Sequence, residues 1–215
     1  MSHVLIVGAT GGVGRHTVRH ALAMGHTVRA LARTPTKLAL SHPNLTVIQG
    51  DVRDAEGLAS AMEGIDMVLS CLGTPRGSTP VVAEGCRNLC RAMTRHAVER
   101  LALISSIGVG DSLDQSAKVS WVFRYMIMPT VLRSAFVDLN QAEAETRAHH
   151  PEAIFVRPTG LRDHAGTGRF LASHAAERDP RKLTTFISRD DVGLFMAGLI
   201  DDTRYDGTAV SLFAG

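Results

Sequence analysis

His3-Val4-Leu5-Ile6-Val7 runs straight into Gly8-Ala9-Thr10-Gly11-Gly12-Val13-Gly14, and a helical pattern follows at once over residues 12–24. No other feature restricts the fold of the chain as strongly. The apolar run has the length of a buried strand, and glycines end it. Val13, Val18, Ala21 and Leu22 then recur on one side of a helix. After Gly25-His26 turns the chain, residues 27–32 read as a second strand. A glycine turn between strand and helix, with another strand close behind, is a βαβ unit with its strands parallel.

The alternation continues. Strands are expected at 45–49, 67–70 and 101–105, with a helix over 81–97 between the last two. Beyond Ser106 the pattern loosens: an apolar stretch from Trp121 to Met128, containing Tyr125, is stopped by Pro129. It is read either as a wall over a planar substrate or as a core or subunit-contact helix. A helix over 136–148 leads to a strand at 153–156, and 158–183 reads as mostly loop. Ser188-Arg189-Asp190-Asp191 has the form of a capping box opening a helix to Ile200, and 208–212 is a last strand. Near-continuous apolar strands separated by helices imply an α/β fold, a single doubly wound parallel sheet covered on both faces. Its ligand crevice belongs at the carboxyl ends of the strands. With 215 residues, no internal repeat and no linker, one domain is expected over 1–215. Segments near 108–134 and 158–187 are left to shape a substrate site.

The glycines at 8, 11 and 14 allow a tight turn, close backbone approach and close helix–sheet packing, so that amides at the helix start face a pyrophosphate. A dinucleotide site of the NAD type would place Asp or Glu roughly 20 residues further on, at the end of the second strand. That position holds Arg33, with Thr34 and Lys37 beyond it, and no carboxylate lies between Thr27 and Gly50. A guanidinium and an ammonium there suit a 2′-phosphate, so NADPH is the expected cofactor. Gly50-Asp51-Val52 closes the third strand and Ser70-Cys71-Leu72-Gly73-Thr74 the fourth. Alone, each is an ordinary strand-end turn. Behind the glycine loop, they fall where the adenine and the nicotinamide ribose would lie.

The Gly-x-x-Gly-x-x-Gly spacing resembles the extended and atypical branches of the short-chain dehydrogenases, with their Rossmann-type domain. Leu31-Ala32-Arg33, Leu72-Gly73-Thr74, Glu84-Gly85-Cys86-Arg87-Asn88, Ser105-Ser106, Arg157-Pro158 and Ile187-Ser188-Arg189-Asp190-Asp191 extend the likeness along nearly the whole chain. Within that group it is similar to NADPH-dependent flavin reductases of the biliverdin reductase B type and to the wider NmrA-like proteins. The resemblance implies that Gly8, Ala9, Thr10, Gly11, Gly12, Val13, Gly14, Arg33, Lys37, Asp51, Val52, Leu72, Gly73, Thr74 and Ser105 hold the cofactor. Thr34, Cys71, Pro158 and Thr159 complete the expected contacts. It sets Ser106 beside the nicotinamide as the residue facing substrate, although Ser106 is equally read as a strand-end turn residue.

The chain departs from the superfamily at the proton donor. The common Tyr-x-x-x-Lys helix has no counterpart, since Tyr125 is followed by Pro129 and Tyr205 by Ala209. Over 136–148, where a lysine is expected, stand Asp138, Asn140, Gln141, Glu143 and Glu145, and no histidine follows Pro158 directly. His164 is either a substitute or an exposed loop residue, and Arg162 and Arg169 either meet an acidic substrate tail or are solvated. A ketone reduced to an alkoxide needs a positioned acid. A flavin, quinone or conjugated tetrapyrrole receiving hydride spreads the charge and can be protonated by solvent. The expected activity is therefore reduction of a small planar acceptor. A non-catalytic NADP(H) sensor of the NmrA-like type is the alternative, and a nucleotide-sugar epimerase is weaker.

Lys+Arg 23 against Asp+Glu 21 leaves +2, too balanced for an electrostatic nucleic-acid or membrane binder. Cys71, Cys86 and Cys90 form no disulfide or metal pattern and read as buried thiols in a reducing compartment. No basic region precedes the first apolar run, and no stretch has the length of a membrane span. A cytoplasmic monomer or small homo-oligomer is expected.

Overall fold

The computed structural model describes residues 1–74, 78–110, 133–174 and 186–215. The expectations for Trp121 to Met128, Tyr125 and Pro129 lie outside the described residues, as does part of 158–183.

Eight strands form one mostly parallel sheet. In chain order its members are β1 His3–Val7, β2 Thr27–Ala32, β3 Leu45–Gln49, β4 Met67–Ser70, β5 Arg100–Ile104, β6 Ile154–Pro158, β8 Phe170–His174 and β10 Ala209–Ala214. Their spatial order is β3-β2-β1-β4-β5-β6-β10-β8, and only β8 runs antiparallel to its neighbour. A second, two-stranded parallel sheet pairs β7 Gly160–Arg162 with β9 Phe186–Ser188. The doubly wound α/β architecture expected from the alternation is thus present. The order reverses between β1 and β4, where Val7 lies opposite Leu31 on one side and Ser70 on the other. A ligand crevice opens at such a switch point.

Alternate side chains of each strand point to opposite faces. Val4 and Ile6 join Val28, Ala30 and Met67 under helices α1 Gly14–Ala23 and α5 Arg189–Gly198. Leu5 and Val7 join Leu31, Val68 and Leu103 under α2 Ala55–Ala61, α3 Val82–His96 and α4 Arg133–His149. On the first face, a Cβ on Gly193 of α5 would lie 2.6 Å from His16 Cβ and 2.8 Å from the Thr17 nitrogen. That glycine lets α5 press directly onto α1.

In the described part of the segment expected to be mostly loop, residues 158–174, two short strands are present, β7 and β8. The helix α2 also goes beyond what the sequence pattern suggested; Asp54 caps it by accepting from the Glu56 amide at 3.2 Å. The Ser188 cap is present, with Ser188 Oγ accepting from the Asp191 amide at 2.8 Å. The reciprocal half of a capping box is replaced: the Asp191 carboxylate accepts from Ser188 Oγ and from the amides of Thr167 and Gly168. Cys71, Cys86 and Cys90 are buried. Burial pushes the first two thiols up to about 12 and Cys90 to about 11, so they stay protonated. Among the described residues no helix is long and apolar enough to cross a membrane, and no cluster of side chains could hold a metal ion.

Candidate functional site

The glycine loop stands at the end of β1, at the switch point. Gly8 has φ +71°, and a Cβ there would lie 2.5 Å from the Cys71 carbonyl oxygen, so the loop and the end of β4 touch through backbone alone. Gly11 N–H donates to Gly8 O at 2.9 Å, closing the turn. A side chain on Gly14 would run into Gly8 O, which keeps α1 close to the strand. Ala9, Val13 and Gly14 are buried and shape the loop from behind. Helix α1 opens with no side-chain cap and no acidic residue in its first turn. Among the described residues, the N–H groups of Thr10, Gly12 and Val13 make no backbone hydrogen bond. Free amides at a helix start face an anion, aided by the helix dipole.

A cleft of about 440 Å³ leads away from this loop. Its lining includes Gly8, Thr10, Gly11, Arg33, Lys37, Asp51, Val52, Cys71, Leu72 and Gly73, so the ends of β1, β2, β3 and β4 converge as the sequence implied. Arg33 and Lys37 are exposed at one wall, with Lys37 on the short turn Pro35–Lys37 that Thr34 opens. Arg53 joins them in the lining, a cation that the strand-end motif did not single out. Asp51 is not free to serve the adenine unaided. Arg53 donates to its two oxygens at 3.1 and 2.7 Å, and this hydrogen bonding lowers the carboxyl to about 2. Ser78, Thr79, Pro80 and Val81 make the facing wall.

That wall is fixed from a distance. Asp138 of α4 accepts from Thr74 Oγ1 and from the amides of Val81, Val82 and Ala83 at 2.9–3.1 Å. Below it, Asn88 Nδ2 donates to Val52 O at 3.1 Å and secures the end of β3. A Cβ on Gly85 would meet Leu72 and Val52 within 3 Å, so α3 reaches the cleft floor only as glycine there.

Ser105 and Thr159 follow the adjacent strands β5 and β6. Their amides are bonded, to Val156 O at 2.7 Å and Leu212 O at 3.1 Å. Their hydroxyls are buried without a hydrogen-bond partner, a state costing roughly 1–3 kcal/mol for each orphaned group. Pro158 is buried within β6, its carbonyl accepting from the Ile107 amide. Ser106 is half-buried, and its hydroxyl donates to Ile107 O at 3.2 Å. Beyond it, Asn140 accepts from the Gly110 amide, and Arg157 and Glu143 form an ion pair, each 1% exposed.

His164 is exposed against its own loop, 2.9 Å from Ala165 O. Arg162 lies over the Phe186 ring at 3.9 Å, and Arg169 is exposed. Tyr205 packs on Phe195 in a second hollow of about 540 Å³, lined by Met24, Phe170 and Leu199 among others. Though larger, that hollow contains none of the strand-end residues, and the dinucleotide chemistry points to the smaller cleft.

Free amides over a glycine turn, cations at the end of β2 and orphaned hydroxyls at two further strand ends all fit a dinucleotide. Fold and cleft together define a dinucleotide-binding protein. A family model described as NAD(P)H-binding matches residues 8–203, and the chain belongs to that family. It is 34% identical over 122 residues to the 3 beta-hydroxysteroid dehydrogenase/Delta 5→4-isomerase of Mycobacterium tuberculosis, a match covering 51% of this chain and 33% of that relative. The chain thus spans about a third of the length of that curated relative. The structure of ChuY, an anaerobillin reductase from Escherichia coli O157:H7, superposes with a TM-score of 0.79 at 25% identity, covering 99% of this chain and 97% of that one. A short-chain dehydrogenase/reductase from Veillonella parvula, solved in complex with NADP, shares the fold with a TM-score of 0.78 at 15% identity, covering 99% and 94%.

Proposed function

We propose that the chain is an NADPH-dependent reductase that delivers hydride to a flavin, a quinone or a similar planar conjugated acceptor. The observation that carries the reading is the cationic end of the cleft, where Arg33, Lys37 and Arg53 gather and no acidic residue ends β2. A ribose 2′-phosphate is the ligand group that such a cluster selects. Thr10, Gly12 and Val13 offer amides to the pyrophosphate, and Asp51, paired with Arg53, presents a fixed acceptor edge beside the adenine. Leu72 and Gly73 line the ribose side, Thr74 beside them is held by Asp138, and Ser105 and Thr159 offer their unpaired hydroxyls at the nicotinamide end.

A bound nicotinamide supplies the hydride, and the protein supplies orientation. Ser106 stands at the end of β5 to meet the acceptor, and solvent supplies the proton to a delocalised product anion. We read the chain as one cofactor-binding domain. The likeness to ChuY, an anaerobillin reductase, supports reductase chemistry. NADPH oxidation followed by absorbance with FMN, riboflavin, a quinone panel and a linear tetrapyrrole tests the reading. Turnover with at least one acceptor, and faster with NADPH than with NADH, is expected. Tight NADP(H) binding without turnover on any acceptor would replace it with the sensor role.

A further inference from the structure

Arg189, the first residue of α5, sends its side chain across the glycine loop. A Cβ built on Gly12 would lie 2.6 Å from Arg189 Cδ and 2.8 Å from Nε, so the arginine stem occupies space that only glycine leaves open. The guanidinium pairs with Asp163 Oδ2 at 3.0 Å, and Asp163 Oδ1 lies 3.9 Å from Arg15 at the start of α1. The side chain of Asp163 is 68% exposed and that of Arg189 only 27%. The arginine is thus settled on the loop while its partner is a solvated carboxylate, and pairs of that kind contribute little.

The elements around it keep Arg189 in place. Asp191 accepts from the amides of Thr167 and Gly168, and Asp190 accepts from Gly166, strapping 163–168 to the start of α5. The negative charge of Asp190 is met by Arg19 at 2.6 Å, His20 at 2.7 Å and His16 at 3.2 Å, all on α1. Arg189 therefore remains as the cation directly over the loop whose amides at Gly12 and Val13 are free.

We infer that Arg189 is a ligand of the cofactor's diphosphate bridge and that Asp163 is its placeholder. The bridge carries two negative charges and presents oxygens to a planar fork, which an exposed carboxylate on a loop matches poorly. On binding, the guanidinium exchanges Asp163 for phosphate oxygen, and Asp163 turns to Arg15 or to solvent. This rests on the reading of the cleft as a dinucleotide site and adds to it a residue indifferent to the 2′-phosphate.

The test is titration calorimetry on wild type, Arg189→Ala, Arg189→Lys and Asp163→Asn with NADPH, NADH and 2′-AMP, which lacks a diphosphate. Arg189→Ala is expected to weaken NADPH and NADH by the same factor, roughly 10- to 100-fold, and to leave 2′-AMP unchanged. Arg189→Lys falls between, and Asp163→Asn tightens both dinucleotides several-fold. Dinucleotide affinities within about two-fold of wild type in Arg189→Ala and Asp163→Asn would overturn the assignment. So would an equal loss for 2′-AMP in Arg189→Ala, which marks a general disturbance. A wild type that binds neither dinucleotide removes the reading of the cleft itself, whereas normal binding with an indifferent Arg189 removes only this inference.

Discussion

Thr74 Oγ1 donates to Asp138 Oδ2 across 2.9 Å, tying the turn after β4 to a helix far along the chain. Asp138 also caps α3 from outside, because Val81 at that helix's N-cap position has no side chain able to do so. Asp138 is 6% exposed, so loss of its carboxylate strands buried amides. Asp138→Ala is expected to destabilise the fold by about 2–4 kcal/mol, from a lost cap and unsatisfied donors. Urea unfolding would show it as a lower midpoint at unchanged slope. Asp138→Asn, which keeps an acceptor oxygen, should recover part of the loss.

Arg33 offers the most direct control of cofactor choice, standing at the end of β2 with its side chain exposed to the cleft. Arg33→Glu replaces a phosphate ligand by a carboxylate suited to ribose hydroxyls. NADPH affinity should fall by roughly 10- to 150-fold, with NADH affinity unchanged or improved. Binding isotherms for both cofactors check it, and NADPH affinity equal to wild type would show that the 2′-phosphate is held elsewhere.

Gly8 combines a left-handed backbone with a backbone contact where a side chain would stand. Gly8→Ala should cost at least about 1–3 kcal/mol in strain, and the Cys71 carbonyl must move as well. Thermal melts would report the loss of stability, and cofactor titration a loss of affinity larger than stability alone explains.

How much of this was legible depends on whether the signal was local. The first five strands and the glycine loop carry runs and turns within a few residues, and these stand where the sequence set them, to within a residue at the ends. Helix α2 was invisible because it spans Ala55–Ala61 with Gly57 inside it, too short to show a period. Strands β7 and β9, Gly160–Arg162 and Phe186–Ser188, are shorter than any alternation can reveal and exist by pairing with each other. The Asp138 cap and the passage of Arg189 over Gly12 join residues remote in sequence, and no spacing rule reaches them. Arg53 could have been found: a cation directly after Gly50-Asp51-Val52 is placed to share the cleft and to bind that aspartate.

Glu143 and Arg157 form the most deeply buried charge pair among the described residues, with guanidinium–carboxylate bonds at 2.6 and 3.0 Å. A Cβ on Gly110 would lie 2.5 Å from Arg157 Nη2, so the loop after β5 closes over the pair. Glu143→Ala withdraws the carboxylate from a guanidinium shut away from water, and the expected cost is about 3–5 kcal/mol. Glu143→Gln, keeping one acceptor, should lie between. Equilibrium unfolding of the two variants checks the order.

Asp190 links acid stability to the loop that carries Asp163. Burial raises its carboxyl, but the His20 hydrogen bond, the Gly166 amide and the charges of Arg19 and His16 outweigh this and bring it to about 2 from 3.8. Asp51, held by Arg53, moves the same way. A carboxyl with a folded pKa below its unfolded value stabilises fully above about pH 4, and that contribution disappears as pH falls toward about 2. Wild-type Tm should therefore drop through that interval. Asp190→Asn cannot lose what it does not have, so its Tm should start lower at pH 6 and fall less steeply between pH 4 and 2. Scanning calorimetry across the interval measures both slopes, and parallel curves would show that Asp190 does not carry this part of the acid dependence.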